Sequence, residues 1–246
     1  MRTTLVRMKR IALVTGASRG LGATVARLFA DRGYDLVLSA RTEPDLERLA
    51  DDLRSSRVTV ITRHGDIADP FTRHTLIDAV KYLGGLDVLV NNASELGGLA
   101  PLIDVEAAPI ERLIRVNLIA PLQLTRAALP LLAERAGLVV NISSDAAQGA
   151  YAGWGAYGAS KAGLDLASRT LAAEVAPALV GVVLVDPGDL RTRMHQEAFP
   201  GQDISDRPLP GITLPFWEWL LDQPPAAISG RRFKAQEARQ QWLVEA

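Results

Sequence analysis

The sequence predicts a single doubly wound α/β domain, a parallel sheet of about seven strands with helices on both faces. Three observations predict it. Short, predominantly apolar runs recur along the chain, longer segments with helical patterning separate them, and the first run leads into a glycine-rich turn that opens a helix. Runs with no polar alternation suit strands covered on both faces, which is the condition of a parallel sheet.

The strand runs are Ile11–Val14, Leu36–Leu38, Val58–Ile61, Leu86–Val90, Leu138–Ile142 and Val180–Val185. Between them, Ala23–Ala30 stops at Gly33, Asp45–Leu53 follows the cap candidate Thr42, and Thr72–Leu83 stops at Gly84-Gly85; each carries helix start or stop chemistry. From Leu190 to Pro225 the pattern turns irregular. Pro200, Pro208, Pro210, Pro215, Pro224 and Pro225 break any long helix there, so residues 190–225 read as a variable flap beside the ligand site, followed by a last short strand near Ile228–Phe233. The domain covers 9–246. Residues 1–8 read as an extension outside it, either disordered or a consequence of start-site choice.

Composition narrows the function classes. A chain of 246 residues with 48% hydrophobic content buries a large core without cross-links. The formal net charge is -1, which gives no general attraction to nucleic acid or to anionic membranes. With no cysteine in the chain, a disulfide framework, a thiolate nucleophile and the usual structural zinc sites drop out. His64 and His74 lack a metal-ligand grouping, so no metal is expected. Ile11–Val14 is too short for a signal-peptide core or a membrane span, and a cytoplasmic protein is the expectation.

Directly after the first strand stands Thr15-Gly16-Ala17-Ser18-Arg19-Gly20-Leu21-Gly22, and then a helix begins. Glycines let the backbone turn sharply and approach a pyrophosphate, while free N–H groups and the positive helix end attract the anion. The second strand ends in Ser39-Ala40-Arg41, where selectivity for NAD usually needs an acid on the ribose 2′-hydroxyl. That acid is missing. Arg41 with Arg19 suits a 2′-phosphate instead, so the expected cofactor is NADP(H); otherwise both are solvated surface arginines. Asp66, in Gly65-Asp66-Ile67, is placed to meet an adenine amino group, or is a turn residue.

Tyr157-Gly158-Ala159-Ser160-Lys161 opens a strongly helical stretch, so Tyr157 and Lys161 share a face. Reducing a ketone needs a proton delivered to oxygen as hydride reaches carbon, and a free tyrosine, with pKa about 10, exchanges one slowly near neutrality. An ammonium about 4 Å from the phenol oxygen favours phenolate by an upper-end shift of roughly three pH units. Tyr157 is therefore expected to titrate near working pH.

With its neighbours, this motif resembles the short-chain dehydrogenases/reductases over nearly the whole chain. The glycine turn, Asn91-Asn92-Ala93 closing the fourth strand, Asn117, Ser144, the Tyr157/Lys161 pair and Pro187-Gly188 stand in that family's order and spacing. The resemblance implies a Rossmann-type fold and a catalytic tetrad of Asn117, Ser144, Tyr157 and Lys161. Ser144, rather than Ser143, has the family's separation of thirteen from Tyr157. By the same likeness Ser144 donates to the substrate oxygen, Asn117 holds a water in the proton path, and Lys161 contacts the nicotinamide ribose. Gly16, Ser18, Arg19, Gly20, Leu21, Gly22, Ser39, Arg41, Asp66, Ile67, Asn92, Ala93, Tyr157, Lys161, Pro187, Gly188, Leu190 and Thr192 form the cofactor set. Ser94 stands where the family usually has glycine, and Asp186 and Asp189 flank the Pro-Gly.

Ser94, Tyr151, Trp154 and Met194 are expected to wall the substrate pocket, with His195 and Phe199 available from the flap; a lone loop histidine otherwise reads as solvated. The expected activity is that of an NADP(H)-dependent carbonyl reductase or alcohol dehydrogenase acting on a small-molecule substrate. A 3-oxoacyl-carrier-protein reductase is the runner-up, with Arg126, Arg169, Arg191 and Arg193 as candidates for a basic docking surface. A catalytically silent NADP(H)-binding sensor is the alternative of another class, although such proteins commonly lose the Tyr/Lys pair. The family likeness implies a homo-oligomer, a tetramer or dimer, and Ala162, Leu166, Ala167, Leu171 and Ala172 form a small apolar face suited to helix pairing or to the chain's own core.

Overall fold

The computed structural model describes residues 9–54 and 57–242. The extension expected at residues 1–8 lies outside them. The elements run β1 (Ile11–Thr15), α1 (Gly20–Asp31), β2 (Asp35–Ala40), α2 (Glu43–Arg54), β3 (Val60–His64), α3 (Pro70–Leu83), β4 (Val88–Asn91), α4 (Ala107–Ile114), α5 (Ala120–Ala133), β5 (Leu138–Ile142), α6 (Gly155–Val175), β6 (Gly181–Asp186), α7 (Arg193–Ala198), α8 (Leu214–Leu221), α9 (Pro225–Ile228), β7 (Arg232–Lys234) and α10 (Arg239–Trp242). The strands form one sheet in the order β3-β2-β1-β4-β5-β6-β7, with every pairing parallel.

Each apolar strand run divides its side chains between two cores, because successive residues point to opposite faces. Ala12, Val14, Leu36, Leu38, Val88, Val90, Val140 and Val183 pack with α1, α2 and α8 on one side. Ile11, Leu13, Val37, Leu89, Val139 and Val182 pack with α3, α5 and α6 on the other. At Arg115–Ile119, between α4 and α5, one turn widens to π geometry. The apolar helix Ala107–Ala133 has the length of a membrane span, but its Leu113, Val116, Ala120, Leu124 and Leu132 are buried within the domain.

The strand ends differ from hydropathy at the sheet edges. β3 runs on through Thr62, Arg63 and His64 because its ladder with β2 continues to Ala40↔His64, and an edge strand can leave polar side chains in water. β7 is Arg232–Lys234, while Ile228 belongs to α9. The stretch read as a flap also divides. Residues 193–198 form α7 beside the ligand cleft, but α8 is core: Phe216, Trp217 and Leu220 are fully buried, and Phe216 meets Trp242 with ring centroids 5.2 Å apart. Pro215 opens α8 without loss, since the first helical N–H needs no partner. The small face of α6 divides too: Ala172 is buried and Leu171 packs on the chain's own core, whereas Leu166 is exposed.

Trp217→Ala is expected to lower unfolding free energy by about 3–5 kcal/mol, whereas Tyr82→Ala, at an exposed position, changes it by less than about 0.5 kcal/mol. Urea denaturation of both variants checks the placement of α8 in the core.

Candidate active site

The chain crosses from β1 to β2 on one side and from β4 to β5 on the other, so a crevice opens between the loops that leave the carboxyl ends of β1 and β4. A cleft of about 760 Å³ lies there. It is lined by Gly16, Ser18, Arg19, Gly20, Leu21, Ser39, Arg41, Asp66, Ile67, Asn92, Ala93, Pro187, Gly188, Leu190 and Thr192 from the expected cofactor set, and by Ser94, Ser144, Trp154, Tyr157, Lys161 and Met194. Three expected site residues do not line it: Gly22, Asn117 and Tyr151.

Gly22 acts from behind. A Cβ there would stand 2.3 Å from the Gly16 carbonyl oxygen, so the residue lets the first turn of α1 close onto the glycine loop. Gly16 itself has φ +65°, and a Cβ on it would meet the Ala93 backbone at 2.9 Å. Asn92 braces this loop. Its amide donates to the carbonyls of Thr15 at 2.9 Å and Gly16 at 3.0 Å, while the Thr15 hydroxyl receives the main-chain N–H of Asn92 and Ala93. Asn92 therefore shapes the turn with both of its side-chain donors. Asn91 points into the core, bonding Thr125 and Asn141.

At the outer end of the cleft the expected arginines differ. Arg19 is exposed and makes no ion pair among the described residues. Arg41 is hydrogen-bonded to Glu95. Arg112 grips both Glu95 oxygens at 2.8 and 2.6 Å and donates to Asp66 at 2.6 Å. Burial acts to raise the Asp66 carboxyl, but hydrogen bonds from Arg112 and the Ala68 amide outweigh it and hold it below the usual range. The Asp66 oxygen expected for adenine thus already has a cation on it. Glu95 could have been noticed, directly after Asn91-Asn92-Ala93-Ser94; Arg112 carries no motif.

Asn117 lies in the π turn, 1% exposed. Its oxygen accepts from the Ser94 hydroxyl and the Glu95 amide, and its nitrogen donates to the Glu95 carbonyl and the Ser160 hydroxyl. An amide has four such positions, so the side chain has none left for the expected water. Ser144 caps a short 3-10 turn, accepting from the Ala146 amide at 3.2 Å and donating to Asp145 at 3.0 Å. Ser143 turns inward to Asp165. The Ser144 and Ser94 hydroxyls both lie close enough to the Tyr157 phenol to draw it down.

The expected electrostatics of the Tyr/Lys pair are reversed. Burial pushes the Tyr157 phenol up to about 12; the Ser144 and Ser94 hydroxyls pull it down, while Asp186 and Asp145 add to the rise. Burial lowers the Lys161 ammonium to about 8, with the Asp165 carboxylate pulling the other way. Lys161 Nζ donates to the Ile142 carbonyl at 2.8 Å and lies 5.8 Å from the centre of the Tyr157 ring. The cost of desolvating both groups exceeds what the ammonium gives the phenolate.

Around Tyr157, Leu96, Ala146, Ala198, Trp154 and Met194 form an apolar wall, with Trp154 edge-on to the Tyr157 ring at 5.9 Å. Tyr151 is exposed at the rim and donates to Asp145 at 2.9 Å. Phe199 packs behind the wall against Trp154. His195 is not solvated: its side chain is 11% exposed and its ring lies 4.9 Å from that of Phe199. Thr192 uses its hydroxyl to cap α7 through the His195 amide. Arg193 is exposed and paired with Glu197 at 2.8 Å.

A parallel sheet with a glycine-turn crevice, and a Tyr/Lys pair on one helix at its inner end, defines a nucleotide-cleft α/β protein with an oxidoreductase-type site. The chain belongs to the short chain dehydrogenases, whose family model matches residues 10–203. It is 30% identical to the uncharacterized oxidoreductase YciK of Escherichia coli, over 94% of this chain and 93% of that one. It is 33% identical to sulfoacetaldehyde reductase 2 of Chromohalobacter salexigens, over 96% and 97%. A short chain dehydrogenase from Shigella flexneri, solved in complex with NADP, superposes with a TM-score of 0.87 at 30% identity, covering 93% of this chain and 97% of that one.

Lys161 has a folded value near 8 against an ordinary 10.5, so folding disfavours its charged form. That cost is full below pH 8 and fades as pH rises toward 10.5. Lys161→Met, which also removes a hydrogen bond, is expected to be more stable than the unmodified protein by about 2 kcal/mol at pH 7. Denaturant unfolding across pH should show that advantage shrinking as pH rises.

Proposed function

We propose that this oxidoreductase uses NADP(H) to interconvert a carbonyl and an alcohol carbon, with Tyr157 as general acid and base. The observation that carries the reading is the Tyr157 phenol at the inner end of the cleft, beside the Ser144 and Ser94 hydroxyls and backed by the buried Lys161. A dinucleotide fits the residues present. Gly16 leaves the space a side chain would fill, α1 presents its N-terminus, and beside it stands Arg19, a cation with no ion pair among the described residues. The relative solved with NADP supports the choice of cofactor.

Bound there, NADP(H) supplies or accepts the hydride. The rest is the work of this chain. In reduction, Tyr157 gives its proton to the substrate oxygen, and a phenol held up to about 12 is fully protonated at neutral pH. Ser144 donates to the same oxygen as it gains charge. Lys161 and the Ser94 hydroxyl lie behind Tyr157 on the side from which the proton is replaced. The apolar wall of Leu96, Trp154 and Met194 excludes water and favours a carbonyl compound with an apolar body. Association into a homo-oligomer belongs to the same reading, through exposed Ile119 and Leu166.

A 2′-phosphate at Arg41 competes with Glu95 for the guanidinium, whereas Arg19 has no such partner. Fluorescence titration is therefore expected to show NADPH binding tighter than NADH. Arg19→Ala weakens NADPH by about tenfold, more than Arg41→Ala does, and leaves NADH unchanged. Tyr157→Phe is expected to bind NADPH normally and lose at least about 10²-fold in turnover of ketones or aldehydes. Equal binding of the two nucleotides, or an active Tyr157→Phe protein, overturns the reading.

A further inference from the structure

Directly beneath the Ser144 loop lies a buried charge cluster that neither the motifs nor the proposed chemistry requires. Arg232, on β7, is 13% exposed, and its Nε donates to Asp165 at 3.1 Å. One Nη of the same fork donates to Asp186 at 3.0 Å and to the main-chain carbonyl of Ser144 at 2.8 Å. The remaining Asp165 oxygen takes the Ser143 hydroxyl, and the remaining Asp186 oxygen takes the Gly188 amide at 3.0 Å. The two carboxylates are 7% and 6% exposed.

A buried ion pair contributes little net stability, because removing its charges from water offsets the attraction. What this one does is geometric. A single guanidinium ties together three segments that fold from distant parts of the chain: the loop carrying Ser144, the helix carrying Tyr157 and Lys161, and the turn Asp186-Pro187-Gly188 that edges the cleft. Asp165 stands four residues beyond Lys161, on the same face of α6.

We propose that Arg232 and Asp165 are positioning residues of the active site, which with Asp186 fix the Ser144 main chain against α6 and set a paired carboxylate beside the Lys161 ammonium. This rests on the catalytic reading of Ser144 and Lys161. The charged and titratable groups around the pair are Asp165 toward Lys161, Asp186 and Asp145 toward Tyr157, and Arg232 between the two buried carboxylates. Removing the Arg232 cation leaves Asp165 unopposed and raises the Lys161 titration midpoint; removing the Asp165 charge lowers it. The two shifts report the charge arrangement, and a loss of kcat at nearly constant KM, partly recovered by the conservative variant, reports positioning.

The chain has four lysines, and the other three have side chains 55%, 59% and 57% exposed, so an NMR titration of isotope-labelled lysine side chains resolves Lys161, with Lys161→Met to assign it. The midpoint is expected near 8 in the unmodified protein. It should fall by about one pH unit in Asp165→Asn and rise by about as much in Arg232→Met. Arg232→Met is expected to lose about 10²-fold in kcat with a KM for the carbonyl substrate changed by less than about threefold, and Arg232→Lys to recover part of the loss. If Arg232→Met does not fold, Asp165→Asn, which leaves Arg232 paired with Asp186, carries the titration. An unmoved Lys161 midpoint in Asp165→Asn overturns the inference, as does a folded Arg232→Met protein with unchanged kcat. Absence of turnover in the unmodified protein sinks the proposed function instead, and the titration still decides the charge arrangement.

Discussion

The structure depends on one constraint: a parallel strand covered on both faces has nowhere along its length to place a polar side chain. β1, β2, β4 and β5 are buried almost throughout, so polar groups collect at the strand ends and in the segments that follow. Thr15, Ser39, Asn91 and Asn141 mark the points where apolar runs give way to hydrogen-bonding side chains, and all four are buried. The order of the sheet then makes neighbouring carboxyl ends diverge at β1 and β4. The site is the place where the sheet runs out of apolar positions and the chain must turn.

The brace across that opening follows from the same geometry. Thr15 and Asn92 end adjacent strands, and their mutual hydrogen bonds hold the glycine loop at the height from which its N–H groups face the cleft. Gly22 completes the arrangement by lying too close to Gly16 for any side chain. A loop that carries the motif is thereby braced by Thr15 and Gly22, which do not line the cleft, and by Asn92, which does, and bracing of this kind is what a preorganised anion site requires.

How much of this was legible in the sequence depends on which physical scale decided the matter. Strand runs and helix punctuation are local, and the order of elements, the glycine turn and the Tyr157/Lys161 helix could all be read from them. That Ser144 lies beside Tyr157 while Ser143 turns to Asp165 was legible because spacing encodes it. The ends of β3 and β7 were not, since register with a neighbour, rather than hydropathy, determines where an edge strand stops. The proline-rich stretch before Pro225 looked like loop throughout, yet Phe216 and Trp217 complete the core; proline frequency tells where helices begin as well as where they fail. The partnerships of Glu95 with Arg41 and of Arg112 with Asp66 join residues 54 and 46 positions apart, and no periodicity reports a contact of that kind.

The reversed electrostatics of Tyr157 and Lys161 show how far a motif determines its chemistry. Helical spacing places the two side chains on one face, but the strength of their interaction depends on burial and on what else each group touches. Lys161 is directed to the Ile142 carbonyl, and Tyr157 lies between two hydroxyls with two carboxylates nearby. Such a phenol is fully protonated near neutral pH and gives its proton up less readily than a free tyrosine. Forming its phenolate then needs an added stabilisation. Lys161 is the nearest charge able to provide it, and the carboxylate of Asp165 is what holds that lysine in its cationic form against a burial that drives it toward neutrality.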